Sequence, residues 1–150
     1  MGEIIEIFCK ECNYRKGFSL GVGMVYYSLE NVLSEVPPAN RKEIKDIIHN
    51  HEVLEEGGCH TLFRCVKCNE LYERFYVKID YVQNGEKKRY ETHHWCSKCH
   101  LELFPVYEDK EVEEDDGRDS VEMYASILGG LSCPKCNRKS LSINKIGYWD

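Results

Sequence analysis

The 150-residue chain contains no run of eighteen apolar residues, which a membrane-spanning helix requires. Its opening stretch, MGEIIEIFCKEC, has acidic residues where a secretory signal needs a basic head and a long apolar core. Together these absences set an expectation of no membrane association and a reducing, cytoplasmic setting. Low-complexity blocks and long disordered tails are also missing. There is no positive surplus either: the formal charge of -6 argues mildly against nonspecific attachment to a phosphate backbone, whose affinity comes from Lys and Arg releasing counterions. Catalytic patterns are equally scarce. Carboxylates are plentiful, yet no spacing picks out a general acid and base, and GVGMVYY lacks the third glycine and the Lys-Ser pair of a phosphate-binding loop. Gly21 and Gly23 fit better as sites of a bulge or of close strand packing.

What the chain has is cysteine. Eight of its nine cysteines form four Cys-x-x-Cys pairs. In a secreted protein these would imply disulfides; with no export signal they imply metal ligation. Four segments share a layout of apolar strand, Cys-x-x-Cys and outgoing strand: EIIEIFCKECNYRKGFSL, TLFRCVKCNELYERFYVKI, THHWCSKCHLELFPVY and LSCPKCNRKSLSINKIGYW. Their unequal spacing makes them repeated knuckle hairpins rather than a solenoid.

Two helical stretches interrupt them. Residues 28–57 form a helical insert between the first and second knuckles. It begins with a short turn at Ser28, Leu29, Val32 and Leu33 that Pro37-Pro38 stops. Asn40 and Glu43 resemble a capping box for a following helix with Ile44, Ile47, Ile48, His51 and Leu54 on one face, ended by Gly57-Gly58. Residues 108–119 are an acidic run expected to be a solvated loop. After it, Asp119 and Glu122 start a second helix that turns Val121, Tyr124, Ala125 and Leu128 to the core and stops at Gly129-Gly130. The chain thus reads as one compact unit, 1–150.

The segment YERFYVKIDYVQNGEKKRYETHHW fixes more. Asn84-Gly85 is a strong hairpin signal because both residues tolerate positive φ. Counting outward pairs Gln83 with Glu86, Asp80 with Arg89 and Lys78 with Glu91, and further out Tyr76 with His93 and Arg74 with Trp95. Phe75, Val77, Ile79 and Tyr81 fall on the other, more apolar face. Such a hairpin returns the chain to where it started, so Cys65 and Cys68 meet Cys96 and Cys99 as one four-thiolate site suited to Zn²⁺. Cys9, Cys12, Cys133 and Cys136 would then form a second site, giving two zinc ions. A rival scheme, joining the first knuckle to the second and the third to the fourth, stays open.

The knuckles CKEC, CVKC, CSKC and CPKC resemble those of rubredoxin-like and transcription-factor ribbons, and the chain looks like a tandem or fused zinc-ribbon protein. The resemblance covers the four knuckle hairpins and implies metal binding without implying an activity. Transcript-cleavage ribbons carry an acidic Asp-Glu tip; the corresponding tip here is QNGE.

The remaining candidates have plain readings. His93 and His94 lie on opposite faces of a strand and His100 follows a knuckle cysteine; packing or hydrogen bonding beside the metal is the expectation for them. His49, His51, His60 and Cys59 would make a third metal site only if helix positions two apart converged, which they do not. Cys59 itself reads as a small buried apolar group or a spare thiol. The many tyrosines fill strand faces. The expected fold is a small β-rich α+β protein, antiparallel hairpins around two Cys₄ zinc sites with inserted helices. The expected role is a non-enzymatic module whose partner is a protein. Alternatives are a nucleic-acid-binding ribbon with a basic-aromatic surface at Arg74, Lys87, Lys88, Arg89 and Trp95, and a thiol-redox or metal-handling protein with a labile site.

Overall fold

A computed structural model describes residues 2–23, 28–106 and 120–149. In chain order the elements are β1 (Gly2–Cys9), β2 (Arg15–Leu20), a 3₁₀ turn (Leu29–Val32), α1 (Pro38–Asn50), β3 (Glu52–Arg64), β4 (Leu71–Gln83), β5 (Glu86–Glu91), β6 (Phe104–Pro105), α2 (Ser120–Leu128) and β7 (Leu141–Trp149). Two antiparallel sheets result, one ordered β2-β1-β7 and the other β5-β4-β3-β6. The chain is β-rich, with few helices. No described helix is long and apolar enough to cross a membrane. The acidic run 108–119, with Asp119, lies outside the described residues, as does much of GVGMVYY.

The first sheet draws the two ends of the chain together. β1 pairs with β2 along Glu3↔Leu20 to Phe8↔Arg15, and on its other edge with β7, finishing at Cys9↔Leu141. Ile5, Ile7, Phe18, Leu20 and Leu141 pack with Tyr124 and Leu128 of α2 and with Leu62 and Leu71 of the second sheet. That shared core fixes one sheet against the other. Gly21, at φ +87, adds a backbone bridge, exchanging two 2.8 Å hydrogen bonds with His60. The positive φ of this bridge is a conformation that glycine adopts without steric cost. Tyr124 and Leu128, one helical turn apart, face the core, whereas Ala125 is rotated away and exposed, contrary to expectation.

The second sheet is organised by the Asn84-Gly85 hairpin. Asn84 and Gly85 have φ of 54° and 79°, and the register Gln83↔Glu86, Asp80↔Arg89, Lys78↔Glu91 is the one obtained by counting from the turn. Phe75, Val77 and Ile79 alternate inward and meet Ile44 and Ile47 of α1 together with Leu29, Leu33 and Val36. The expected outer pairs Tyr76–His93 and Arg74–Trp95 do not form, because β5 ends at Glu91. There Val77 N–H donates to Thr92 Oγ1 at 2.9 Å, a side chain standing in for the next ladder acceptor. Trp95 bridges to Glu102 instead.

The insert helix is shorter than its pattern suggested. It starts at Pro38, whose missing N–H costs nothing in the first turn, and ends at Asn50 with His51 extended. Gly57-Gly58 therefore lies inside β3, opposite Lys78 and Val77. A Cβ on Gly58 would stand 2.9 Å from the Phe75 ring, so this glycine makes room for a core aromatic rather than ending a helix. The fourth knuckle also departs from the common layout, since a helix rather than a strand precedes it.

Candidate metal centres

All four knuckles close by the same backbone bond: Cys9 N–H donates to Tyr14 O, Cys65 N–H to Glu70 O, Cys96 N–H to Leu101 O and Cys133 N–H to Arg138 O, at 2.8–3.0 Å. Inside three of the loops the residue after the second cysteine returns its N–H to the first: Asn69 to Cys65 O, His100 to Cys96 O and Asn137 to Cys133 O. These three residues have φ of 58°, 56° and 61°. The left-handed conformation is sterically costly for most side chains and is several-fold enriched in Asn and His. The first knuckle is the exception: Asn13 is not left-handed, and Lys10 N–H is held by Ser140 O of the fourth knuckle.

The turns bring the cysteines into two groups, Cys9, Cys12, Cys133, Cys136 and Cys65, Cys68, Cys96, Cys99, the sulfurs of each lying within 4.8 Å of one another. The grouping is the nested one; the rival pairing is not formed. Sγ–Sγ separations are 3.6 Å for Cys9–Cys136 and 3.7 Å for Cys12–Cys133 and Cys68–Cys96. Tetrahedral zinc with Zn–S near 2.3 Å puts its sulfurs about 3.8 Å apart, so these separations suit a shared ion and each group could hold one. In each, two cysteines are buried and two half-buried.

Hydrogen bonds to sulfur support the same chemistry. Backbone N–H groups of Glu11, Tyr14, Cys99 and Lys135 point at Cys9, Cys12, Cys96 and Cys133 at 3.3–3.4 Å. Ser140 Oγ lies 3.0 Å from Cys9 Sγ, and Tyr72 Oη 3.2 Å from Cys96 Sγ. The Ser140 contact, against opposing burial, brings Cys9 down to about 6. For Cys96, burial works upward but donors from Tyr72 and two backbone amides prevail, again to about 6. Their neighbours move the other way: burial and adjacent sulfurs push Cys99 up to about 12. At Cys12 the Tyr14 N–H favours the thiolate, yet burial and the other sulfurs carry it to about 12. Four thiols this close compete for protons, and a divalent cation is the species that stabilises all four as thiolates.

Neither group includes a histidine. His94, 4% exposed, has Nε2 at 3.1 Å from Phe75 O and its ring edge against Phe63; burial lowers its pKa to about 4. Exposed His93 pairs with Glu102. His49, His51, His60 and Cys59 do not converge: His49 faces Glu30, His51 packs on Tyr81, and His60 meets Glu73 at 3.3 Å. Cys59 sits half-buried in β3 opposite Tyr76.

One cation of the basic-aromatic surface expected on the hairpin, Arg89, is neutralised by a carboxylate. Arg89 clamps Asp80 with two bonds of 2.6 and 2.9 Å, Lys88 is bonded to Gln83, and Arg74 lies over the Tyr72 ring. Residues that sequence reasoning passed over are Ser140, Tyr72, Asn69, Asn137 and Glu70. The signal for the two asparagines was available, since Asn or His follows every Cys-x-x-Cys. Comparison with family models, curated proteins and solved structures finds no match, so the knuckle geometry alone supports the likeness to zinc ribbons.

Proposed function

We propose that the chain is a non-enzymatic binding module of the cytoplasm, held folded by two structural zinc ions ligated by Cys9, Cys12, Cys133 and Cys136 and by Cys65, Cys68, Cys96 and Cys99. The observation that carries this reading is the closed donor set: four sulfurs within 4.8 Å of one another in each group fill the positions of a four-coordinate ion and leave none for water or substrate. Such a centre supplies folding free energy and no Lewis-acid chemistry.

The partner we propose is a protein. Val66, Leu101 and Phe104, from the segments that frame the second centre, are 57%, 42% and 51% exposed, and Trp95 is 58% exposed. Exposed large apolar groups beside the centre favour contact with another protein. The charge distribution points the same way. Residues 10–17, 64–70, 97–102 and 134–140, the knuckle loops, carry nine Lys and Arg against three Glu. A divalent ion held by four thiolates has a formal charge of about −2, so two centres absorb most of that surplus and leave little for a phosphate backbone. Affinity capture from the native host, with and without nuclease, compares wild type with V66S/F104S. Proteins retained through nuclease by wild type and lost by the variant support the reading. Loss of every partner on nuclease treatment replaces it with a nucleic-acid ribbon, and ready loss of metal to a mild chelator with a folded protein remaining replaces it with a metal-handling role.

A further inference from the structure

We propose that the two centres bind metal cooperatively, through a junction built on Asn69 and Glu70 of the second knuckle; the inference rests on the two-ion reading above. The centres are far apart in sequence yet share this junction in space. Asn69 Nδ2 donates to Asn137 Oδ1 at 3.1 Å, joining the second knuckle to the fourth, while Asn69 Oδ1 accepts from Arg64 Nη2 at 2.8 Å. Both asparagines are the left-handed residues of their turns, with backbone N–H groups bonded to Cys65 O and Cys133 O. Each amide is therefore aimed by the fold of its own knuckle, and the bond forms only when both knuckles are closed.

Glu70 makes an independent second bridge. Its side chain, 14% exposed, takes Lys98 of the third knuckle at 2.6 Å and Lys16 of β2, just past the first knuckle, at 3.4 Å. Lys16 Nζ also reaches Leu71 O at 2.7 Å, tying it to the same return strand. The Glu70 carbonyl meanwhile accepts from Cys65 N–H at 3.0 Å, so the residue that ties β2 to the third knuckle also closes the second.

The energetic consequence follows from ordering. An ion entering either group fixes its two knuckles, and with them one half of the junction. The second ion then meets partners already in place and bears a smaller ordering cost, which is positive coupling without any change of shape. Couplings of this kind span about 5–150-fold in affinity.

The test is native mass spectrometry of the full chain, stripped of metal under reducing conditions and given one equivalent of Zn²⁺. The square of the one-ion population divided by the product of the metal-free and two-ion populations is inversely proportional to the coupling factor. Its proportionality factor also contains the ratio of the two intrinsic affinities, so that ratio is measured for each variant in C9S/C12S and C65S/C68S backgrounds and divided out. N137G and N69G keep the left-handed turn available while removing the amide bridge, and E70Q removes the charge that holds Lys16 and Lys98. The ratio is expected to rise at least about fivefold in N137G and in E70Q, and N69G and N137G combined should do no more than either alone. An unchanged ratio in both N137G and E70Q, with two ions still bound at saturation, overturns cooperativity and leaves the metal reading standing. Absence of any two-ion species in wild type at saturating Zn²⁺ overturns the metal reading itself.

Discussion

His100 and Asn69 occupy equivalent places in two knuckles, each following the second cysteine, with φ of 56° and 58° and its N–H returned to the first cysteine's carbonyl. This equivalence accounts for the last histidine of HHWCSKCH through backbone conformation rather than ligation. H100N and H100G should bind two ions as wild type does. H100V, β-branched at a left-handed position, should destabilise by about 1–2 kcal/mol. Denaturant midpoints and metal content measured on the three variants check it; loss of an ion in H100N would restore His100 as a ligand.

The centres should differ in intrinsic affinity. Cys68 and Cys96 are 28 residues apart, whereas Cys9 and Cys136 are 127 apart. Closing the longer loop costs about 1.3 kcal/mol more by chain entropy, roughly tenfold in affinity. C9S/C12S, retaining the second centre, should therefore bind its ion about tenfold tighter than C65S/C68S binds at the first. Competition with a chromophoric chelator measures both, and tighter binding by C65S/C68S would contradict it.

Glu73 links the sheets by accepting from Ser19 N–H at 2.6 Å and facing His60 at 3.3 Å. Burial favours its neutral form, but the contacts with His60 and the Ser19 amide outweigh burial and hold the carboxyl below the usual range. A carboxylate depressed in the folded state contributes stability above its unfolded pKa, near 4.3, and loses it as pH falls through the folded value. E73Q should be less stable than wild type at pH 7 by about 1 kcal/mol, with the difference vanishing as pH falls below 4. A difference independent of pH in urea unfolding would reject the ionic role.

The corrected limits of α1 separate two leucine-sized changes. Ile44, fully buried against Phe75 and Val77, should cost about 2–5 kcal/mol when replaced by alanine. Leu54, once grouped with it on a helical face, is 46% exposed in β3, and L54A should fall within about 0.5 kcal/mol of wild type. Equal losses in thermal unfolding would mean that the helix extends past Asn50.

Local chemistry made much of this legible in advance. Asn84-Gly85 set the hairpin register, and the register carried Cys65 and Cys68 to Cys96 and Cys99. Gly57-Gly58 misled because a glycine pair after a helical pattern reads as a stop signal, while Gly58 makes room for the Phe75 ring, which only the tertiary fold supplies. The end of β5 was hidden for a similar cause, since Thr92 interrupts the ladder with a side-chain bond that no alternation pattern records. The Asn69–Asn137 contact spans 68 residues and exists only once both knuckles are closed.

The central claim is most directly tested by metal content joined to X-ray absorption at the zinc edge on protein purified under reducing conditions. The account predicts two zinc ions per chain, each with four sulfur neighbours at about 2.3 Å and no nitrogen in the first shell. A single ion, or an imidazole contribution to either site, would contradict it.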